Sequence, residues 1–339
     1  MAAGERSPAG GTGQGAPADD LLVAADLVKR FGDVAAVDGT SFAIRRGEIF
    51  GLLGPNGAGK TTTINLLTGL ARPTSGHRYL DGEEYGGRLK QAQARMGTVP
   101  DESKLYEDLD GFGNLCFCAA LYGIRKHERE ERARALLSQF GLEQAARRPF
   151  KAYSKGMKRK LTIAAGIIHE PEILFLDEPT TGIDVASARQ IRQLVLDLNR
   201  RGTTILLTTH YIEEAERLCH RIAFIVSGKI VRIGSLEELM REHASGTVLE
   251  LAVDARGPAL AEAVHGRFPD CLVERSDEHV IRLHSPGPIE LLPLLSFLAE
   301  REAAVTEARI IRPTLEEVFV RITGIESGAM RQEREGRKG

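Results

Sequence analysis

The chain alternates between short apolar runs and stretches whose apolar residues recur at helical spacing. Residues 22–25, 34–37 and 40–44 read as three strands, and Arg46-Gly47 turns the chain into an apolar run at 48–53 that suits a buried strand. A glycine-rich segment follows. After it, residues 62–67 are apolar at helical spacing. Tyr79-Leu80 and the turn Asp81-Gly82 come next, then a strand at 96–100. Residues 110–150 are mostly helical. Leu115, Ala119 and Leu121 share one helix, and 128–140 form another, closed by Gly141. A helix then runs to Ile168. The apolar strand 173–176 ends in Asp177-Glu178, a helix covers 185–199, and the β-rich run 203–209 ends in His210. A helix at 213–219 and a hairpin around Ser227-Gly228 complete this part. Strands with functional groups at their C-terminal ends, alternating with helices, predict an α/β sheet.

Beyond a boundary near 241–246 the order changes to β-α-β-β-α-β: strand 248–253, helix 259–268, strands 271–273 and 280–283, helix 289–301, strand 305–311. That is a ferredoxin-like order. A last helix at 315–322 carries a capping box, Thr314 with Glu317. Residues 1–20 read as a disordered leader and 325–339 as a disordered tail.

The segment Gly54-Pro55-Asn56-Gly57-Ala58-Gly59-Lys60-Thr61-Thr62 reads G-x-x-x-x-G-K-T between a strand and a helix, the context of a phosphate-binding loop. Its glycines let successive N–H groups turn inward toward phosphate oxygens, and the helix adds the positive end of its dipole. Lys60 would reach the β- and γ-phosphates, and the Thr61 hydroxyl would ligate Mg²⁺. Asp177, at the end of an apolar strand, can hold the same ion. Glu178 directly after it points differently and can take a proton from an attacking water. Without the loop, this acidic pair would read equally well as a helix cap.

Composition narrows the picture little. Of 339 residues 42% are hydrophobic and 27% charged, and the net charge of −2 gives no argument for a nucleic-acid partner. The run at 125–132 mixes signs and reads as a solvated helix face. No apolar run approaches the roughly 20 residues needed to cross a bilayer, and the leader lacks an apolar core. Cys116, Cys118, Cys219 and Cys271 are too few and scattered for a disulfide framework, and Cys116-Phe117-Cys118 reads as two small apolar residues on a helix. A cytosolic chain is expected.

Taken together, residues 21–240 resemble the ATP-binding subunits of ABC transporters. The phosphate loop matches Walker A, and residues 174–178 match Walker B with its glutamate. Ser154-Lys155-Gly156-Met157 resembles the family signature, Thr181-Gly182-Ile183-Asp184 the D-loop, His210 the switch histidine and Phe31 the adenine-stacking aromatic. The resemblance implies a mixed core sheet, an antiparallel sheet and a helical subdomain at about 104–165, with the ferredoxin-like domain at 247–324 as an accessory. It implies ATP and Mg²⁺ as ligands. It also implies a head-to-tail dimer with a second ATP-binding subunit, itself or a paralogue, in which Ser154 and Gly156 face the partner's nucleotide. Glu178, His210 and Lys60 would be catalytic. Integral membrane permease subunits on separate chains would be the other partners, and the chain would sit in the cytoplasm, peripheral on the inner face of the membrane.

Two motifs depart from the family. Asp101 stands where Gln is usual, and is expected to serve the metal. The signature has Tyr153, Lys155 and Met157 where Leu, Gly and Gln are commonest. Near the end, residues 312–319 resemble the closing motif of the drug- and antibiotic-export branch, of which the daunorubicin-resistance type is an example, so export is expected. The alternative is a soluble ABC ATPase that remodels a macromolecular complex. A single phosphate loop and the absence of a long heptad run count against it.

Overall fold

The computed structural model describes residues 19–243, 247–254, 258–277, 279–311 and 314–325. The expected leader and tail lie outside these residues, save for residues 19, 20 and 325. Two compact units part at Ile233 and Gly234.

In the first unit, β1 (Asp20–Phe31) and β2 (Val34–Arg45) form a long hairpin that leads into β3 (Ile49–Leu53). The phosphate loop and α1 (Lys60–Thr68) follow, then β4 (Ser75–Leu80), β5 (Glu83–Glu84), α2 (Leu89–Ala94) and β6 (Met96–Val99). Helices α3 (Gly111–Leu121), α4 (Lys126–Gln139) and α5 (Lys155–Ile167) precede β7 (Ile173–Asp177). The unit continues with α6 (Val185–Arg200), β8 (Thr204–Thr209), α7 (Ile212–Leu218), β9 (Arg221–Val226) and β10 (Lys229–Ser235).

Two sheets result. One has the order β10-β9-β3-β8-β7-β6, the other β2-β1-β4-β5. In the first, β9, β3, β8, β7 and β6 pair in parallel, and β10 joins at the edge through the Ser227-Gly228 turn. β1 pairs antiparallel with β2 and with β4. Strands β3, β7 and β8 are buried at every position, with apolar centres and, in β7 and β8, buried Asp177, Thr204, Thr208 and Thr209 at their ends. Leu22, Ile44, Phe50, Leu52, Leu66 and Leu206 belong to one buried core, and the Phe42 and Phe50 rings stack 5.3 Å apart.

Register places the site. In the parallel sheet Leu53 pairs with Thr209, and Asp177 with Thr208. The three residues that follow these strands, Gly54, Glu178 and His210, therefore emerge side by side. Helix α1 is held at its far end. Its C-terminal carbonyls on Leu66, Leu67 and Thr68 accept from Arg78 Nη1, Tyr85 OH (2.7 Å) and Gln93 Nε2 (2.9 Å). These side chains satisfy groups a helix end leaves open.

The strands expected at 34–37 and 40–44 are one strand, β2. Gly39, at φ 69°, absorbs the irregularity inside it. The Asp38 N–H and the Thr40 hydroxyl both donate to Gly228 O, at 2.8 and 3.0 Å. A tertiary contact thus sustains a strand that local composition breaks.

The second unit starts with α8 (Leu236–His243), which the sequence reading did not anticipate. It continues with β11 (Thr247–Val253), α9 (Pro258–Arg267), β12 (Leu272–Asp277), β13 (Val280–Ser285), α10 (Leu291–Ala299), β14 (Val305–Ile311) and α11 (Leu315–Thr323). The sheet order is β12-β13-β11-β14, with every neighbouring pair antiparallel. Leu249, Leu251, Val264, Leu283 and Leu298 belong to its core. The parting of the units falls ahead of the boundary expected at 241–246, because α8 belongs with the second unit. Both bonds of the Thr314–Glu317 capping box are present, while Arg312 and Pro313 lie outside the described residues.

Candidate functional site

The site grows from the end of β3. Gly54 admits no side chain, since a Cβ there would lie 2.2 Å from Ile225 O. Gly59 opens α1 at φ 99° and offers no side-chain cap. A Cβ there would meet Ala36 O at 2.3 Å. The loop is therefore pressed between β2 and the β9–β10 turn, and Gly228 N–H donates to Ala58 O at 3.0 Å. Its first-turn N–H groups have no side-chain competitor for an anion.

Lys60 turns inward and is 4% exposed. Its Nζ donates to Gly54 O at 2.8 Å and Pro55 O at 3.0 Å, and stands 3.5 Å from Glu178 Oε1. His210 Nδ1 lies 3.2 Å from the same carboxylate oxygen, and the Thr181 hydroxyl donates to Oε2 at 3.0 Å. Burial alone would push the Glu178 carboxyl up. The His210 ring and the Lys60 ammonium outweigh that and bring it down to about 2. Glu178 has φ 44°, a left-handed conformation that costs a non-glycine residue on the order of 1–3 kcal/mol. Its N–H is held by Thr208, through both the carbonyl and the hydroxyl at 3.1 Å.

Asp177 is buried, and burial raises its pKa against the opposing pull of the Thr208 and Thr61 hydroxyls. The Thr208 hydroxyl donates to Asp177 Oδ1. Thr61 and Asp177 thus stand together as hard oxygen donors, which is what Mg²⁺ takes from protein when phosphates supply the rest. Among the described residues no cluster of three or more His, Cys, Asp or Glu could hold a metal. Asp101 is involved differently. Its Oδ1 accepts the Glu102 N–H at 2.8 Å, and its carbonyl accepts from Arg159.

A second place gathers other expected residues. Ser154 caps α5, accepting from Met157 N–H at 3.2 Å, and Asp184 caps α6, accepting from Ser187 N–H at 2.9 Å. Gly156 seats one helix start on the other, since a Cβ there would lie 2.4 Å from Ser187 Oγ. Phe31 sits at the tip of the β1–β2 hairpin, 58% exposed, with Lys29 Nζ 4.9 Å from its ring centre. Of the remaining loop residues, Asn56 and Thr62 are partly exposed and Gly57 exposed.

Sequence reasoning gave no role to Thr208 or Arg159, and read Thr181 only as part of the D-loop motif, not as a partner of Glu178. Arg159 is buried, and four carbonyls surround its guanidinium. It sits between Lys158 and Lys160, which hides it in composition. The signal was spacing, because it lies three residues after Gly156 and three before Thr162, on the helix face that is buried.

Comparison with known proteins now decides the family. The ABC transporter family model matches residues 37–181. The linearmycin resistance ATP-binding protein LnrL of Bacillus subtilis is 36% identical over 311 residues, 90% of this chain and 98% of that protein. The chain belongs to the ABC transporter ATP-binding family. Nod factor export ATP-binding protein I of Ralstonia nicotianae is 38% identical over 93% of this chain and 97% of its own length. The daunorubicin/doxorubicin resistance ATP-binding protein DrrA of Streptomyces peucetius is 36% identical over 88% and 91%. A dimeric ATP-binding cassette in a post-hydrolysis state, bound to ADP and phosphate, superposes with a TM-score of 0.59 at 26% identity, covering 64% of this chain and 99% of that one. The resemblance read from the motifs is borne out, and this ABC ATP-binding chain hydrolyses ATP to ADP and phosphate as its family does. No helix among the described residues is long and apolar enough to cross a membrane.

Proposed function

We propose that this chain is the ATPase subunit of an ABC exporter. Two copies, or one copy and a related subunit, would close head to tail on ATP and drive separate membrane permease subunits from the cytoplasmic face. The observation that carries the reading is the buried meeting of Lys60, Glu178 and His210 at the ends of β3, β7 and β8. Export is supported by relatives named for resistance and export that align along nearly their whole length.

The residues divide the work as follows. The backbone of residues 54–62 cradles the phosphates, and Phe31 stacks on the adenine. Lys60 leaves its loop carbonyls for the β- and γ-phosphate oxygens and stabilises charge on the transferred group. Glu178 orients the water and accepts its proton. A carboxylate held at about 2 is a weak base. Transfer of Lys60 to phosphate removes one cause of that depression, so the base strengthens as its substrate seats. His210 contacts the γ-phosphate. Thr61 and Asp177 would hold Mg²⁺, which would supply charge neutralisation to the bound phosphates, and Asp101 would assist from its loop. Ser154, Gly156 and Asp184 face the partner's nucleotide. The second unit is read as a ferredoxin-like accessory domain on the support of its element and strand order.

The test is capture of the Glu178→Gln protein from gently solubilised membranes of the source cell with ATP and Mg²⁺, followed by mass spectrometry. A polytopic membrane protein in stoichiometric amount is expected. Ribosomal or DNA-bound partners without a membrane protein would replace the exporter with a remodelling ATPase.

A further inference from the structure

Arg159 is the buried arginine that the catalytic scheme above does not use. It is 2% exposed. Its Nε donates to Pro179 O at 3.0 Å, Nη2 to Asp177 O at 2.5 Å, and Nη1 to the carbonyls of Pro100 and Asp101, the latter at 3.2 Å. These acceptors belong to three different places. Pro100 and Asp101 follow β6. Asp177 ends β7. Pro179 lies just beyond Glu178. The guanidinium itself rides on α5, five residues after the Ser154 cap and three after Gly156.

An arginine suits this position and other cations do not. Its planar fork sends donors in three directions, so one side chain can hold carbonyls on separate loops. A lysine presents its donors from a single point. Burial lowers the Arg159 pKa to about 10, with Asp177, Asp101, Glu214 and Glu178 opposing that fall, so the group stays charged at neutral pH. The charge also offsets carboxylates that are themselves buried, among them Asp177 and Glu214.

We propose that Arg159 is a positioning residue that makes the Asp101 loop, the Asp177–Pro179 turn and the start of α5 move as one body. It touches no reacting atom. Movement of the metal-side turn in one subunit is then carried to its own Ser154 and Gly156, which face the other subunit's nucleotide. The inference rests on the head-to-tail reading for that last step, while the mechanical link stands on the hydrogen bonds above.

The experiment uses the full chain with Arg159→Met, which keeps length without donors, and Arg159→Lys, which keeps charge without the fork. ATP affinity of the isolated variants should stay within about twofold of the parent, because the phosphate loop is not shared with Arg159. Turnover should fall by about a hundredfold in both, since the loss is one of alignment. Arg159→Lys should fail to rescue it. In a Glu178→Gln background, ATP-dependent dimerisation should weaken in parallel. If Arg159→Met does not fold, Arg159→Lys carries the same comparison. Equal loss of ATP affinity and turnover, or rescue by lysine, would overturn the proposal and leave Arg159 as a packing residue. If the Glu178→Gln parent itself fails to dimerise on ATP, the head-to-tail reading falls. The split between affinity and turnover still judges Arg159.

Discussion

The two ends of the six-stranded sheet carry similar charges at different depths. At the C-terminal ends of the strands, Lys60, Glu178 and His210 meet with 4–8% of each side chain exposed. At the N-terminal ends, Arg46, Asp81, Arg95 and Glu172 form a ring of ion pairs with 34–51% exposed. Both clusters tie separate segments together. Ion pairs shift pKa values in both, raising Arg95 and lowering Glu172 in the second, but water screens the second and hardly reaches the first, so only the first holds desolvated charge ready for a ligand. Depth, not the kinds of residue, separates a reactive cluster from a clasp.

The contrast is broken most forcefully at Glu178. Glu178→Gln keeps size and hydrogen-bonding capacity but removes the base. Turnover should fall by about 10²–10⁴-fold, the usual worth of a general base, with ATP still bound. Single-turnover phosphate release measures it. A variant turning over within tenfold of the parent would show that the buried cluster is a clasp as well.

Acid gives the next largest effect. The Glu178 pKa is depressed to about 2 in the folded chain, against about 4.3 for a free glutamate. A depressed carboxyl contributes stability that is complete above the unfolded value and is lost as pH falls through the folded one. The difference is on the order of 3 kcal/mol. Asp177 and Glu214 run the other way, because burial raises both. The total acid profile therefore mixes signs, and the parent must be read against Glu178→Gln. Denaturant titrations between pH 7 and pH 2.5 should show the parent losing stability relative to the variant below about pH 4. A constant difference across that range would mean that Glu178 is not held by charge.

Much of this cluster was legible beforehand. Lys60, Asp177, Glu178 and His210 each stand where a strand gives way to a loop or helix, and apolar runs mark strands plainly. The register that brings these ends together was not legible, because pairing between β3, β7 and β8 is a long-range fact. The same limit hid Thr208 and Arg159, whose value lies in what they touch. It also split β2 at Asp38-Gly39, beside Thr40, whose partner Gly228 lies 188 residues further along the chain. Helix α8 was missed for a different reason. Gly234 and a reciprocal Ser235–Glu238 capping pair mark its start, but its apolar stripe is short and reads as part of the boundary.

The outer cluster offers the smallest effect and the sharper test of what depth does. Arg95 is its best-placed member. It donates to Glu172 through Nε and Nη2, at 2.5 and 2.8 Å, and reaches Asp81 at 3.1 Å. The bond to Arg95 lowers the Glu172 pKa against a smaller opposing effect of burial. Geometry this good would be worth several kcal/mol in a dry interior. With about a third of Arg95 in water, solvent screening reduces it to about 0–1 kcal/mol. Arg95→Ala should lose that much in a urea titration, with turnover unchanged. Most of the loss should vanish when salt is raised toward 1 M, where screening acts within about 3 Å. A loss above about 3 kcal/mol, persisting in salt, would place this ring among buried networks and remove the distinction drawn between the two ends. A small, salt-sensitive loss leaves depth as the property that turns a set of common charges into a site.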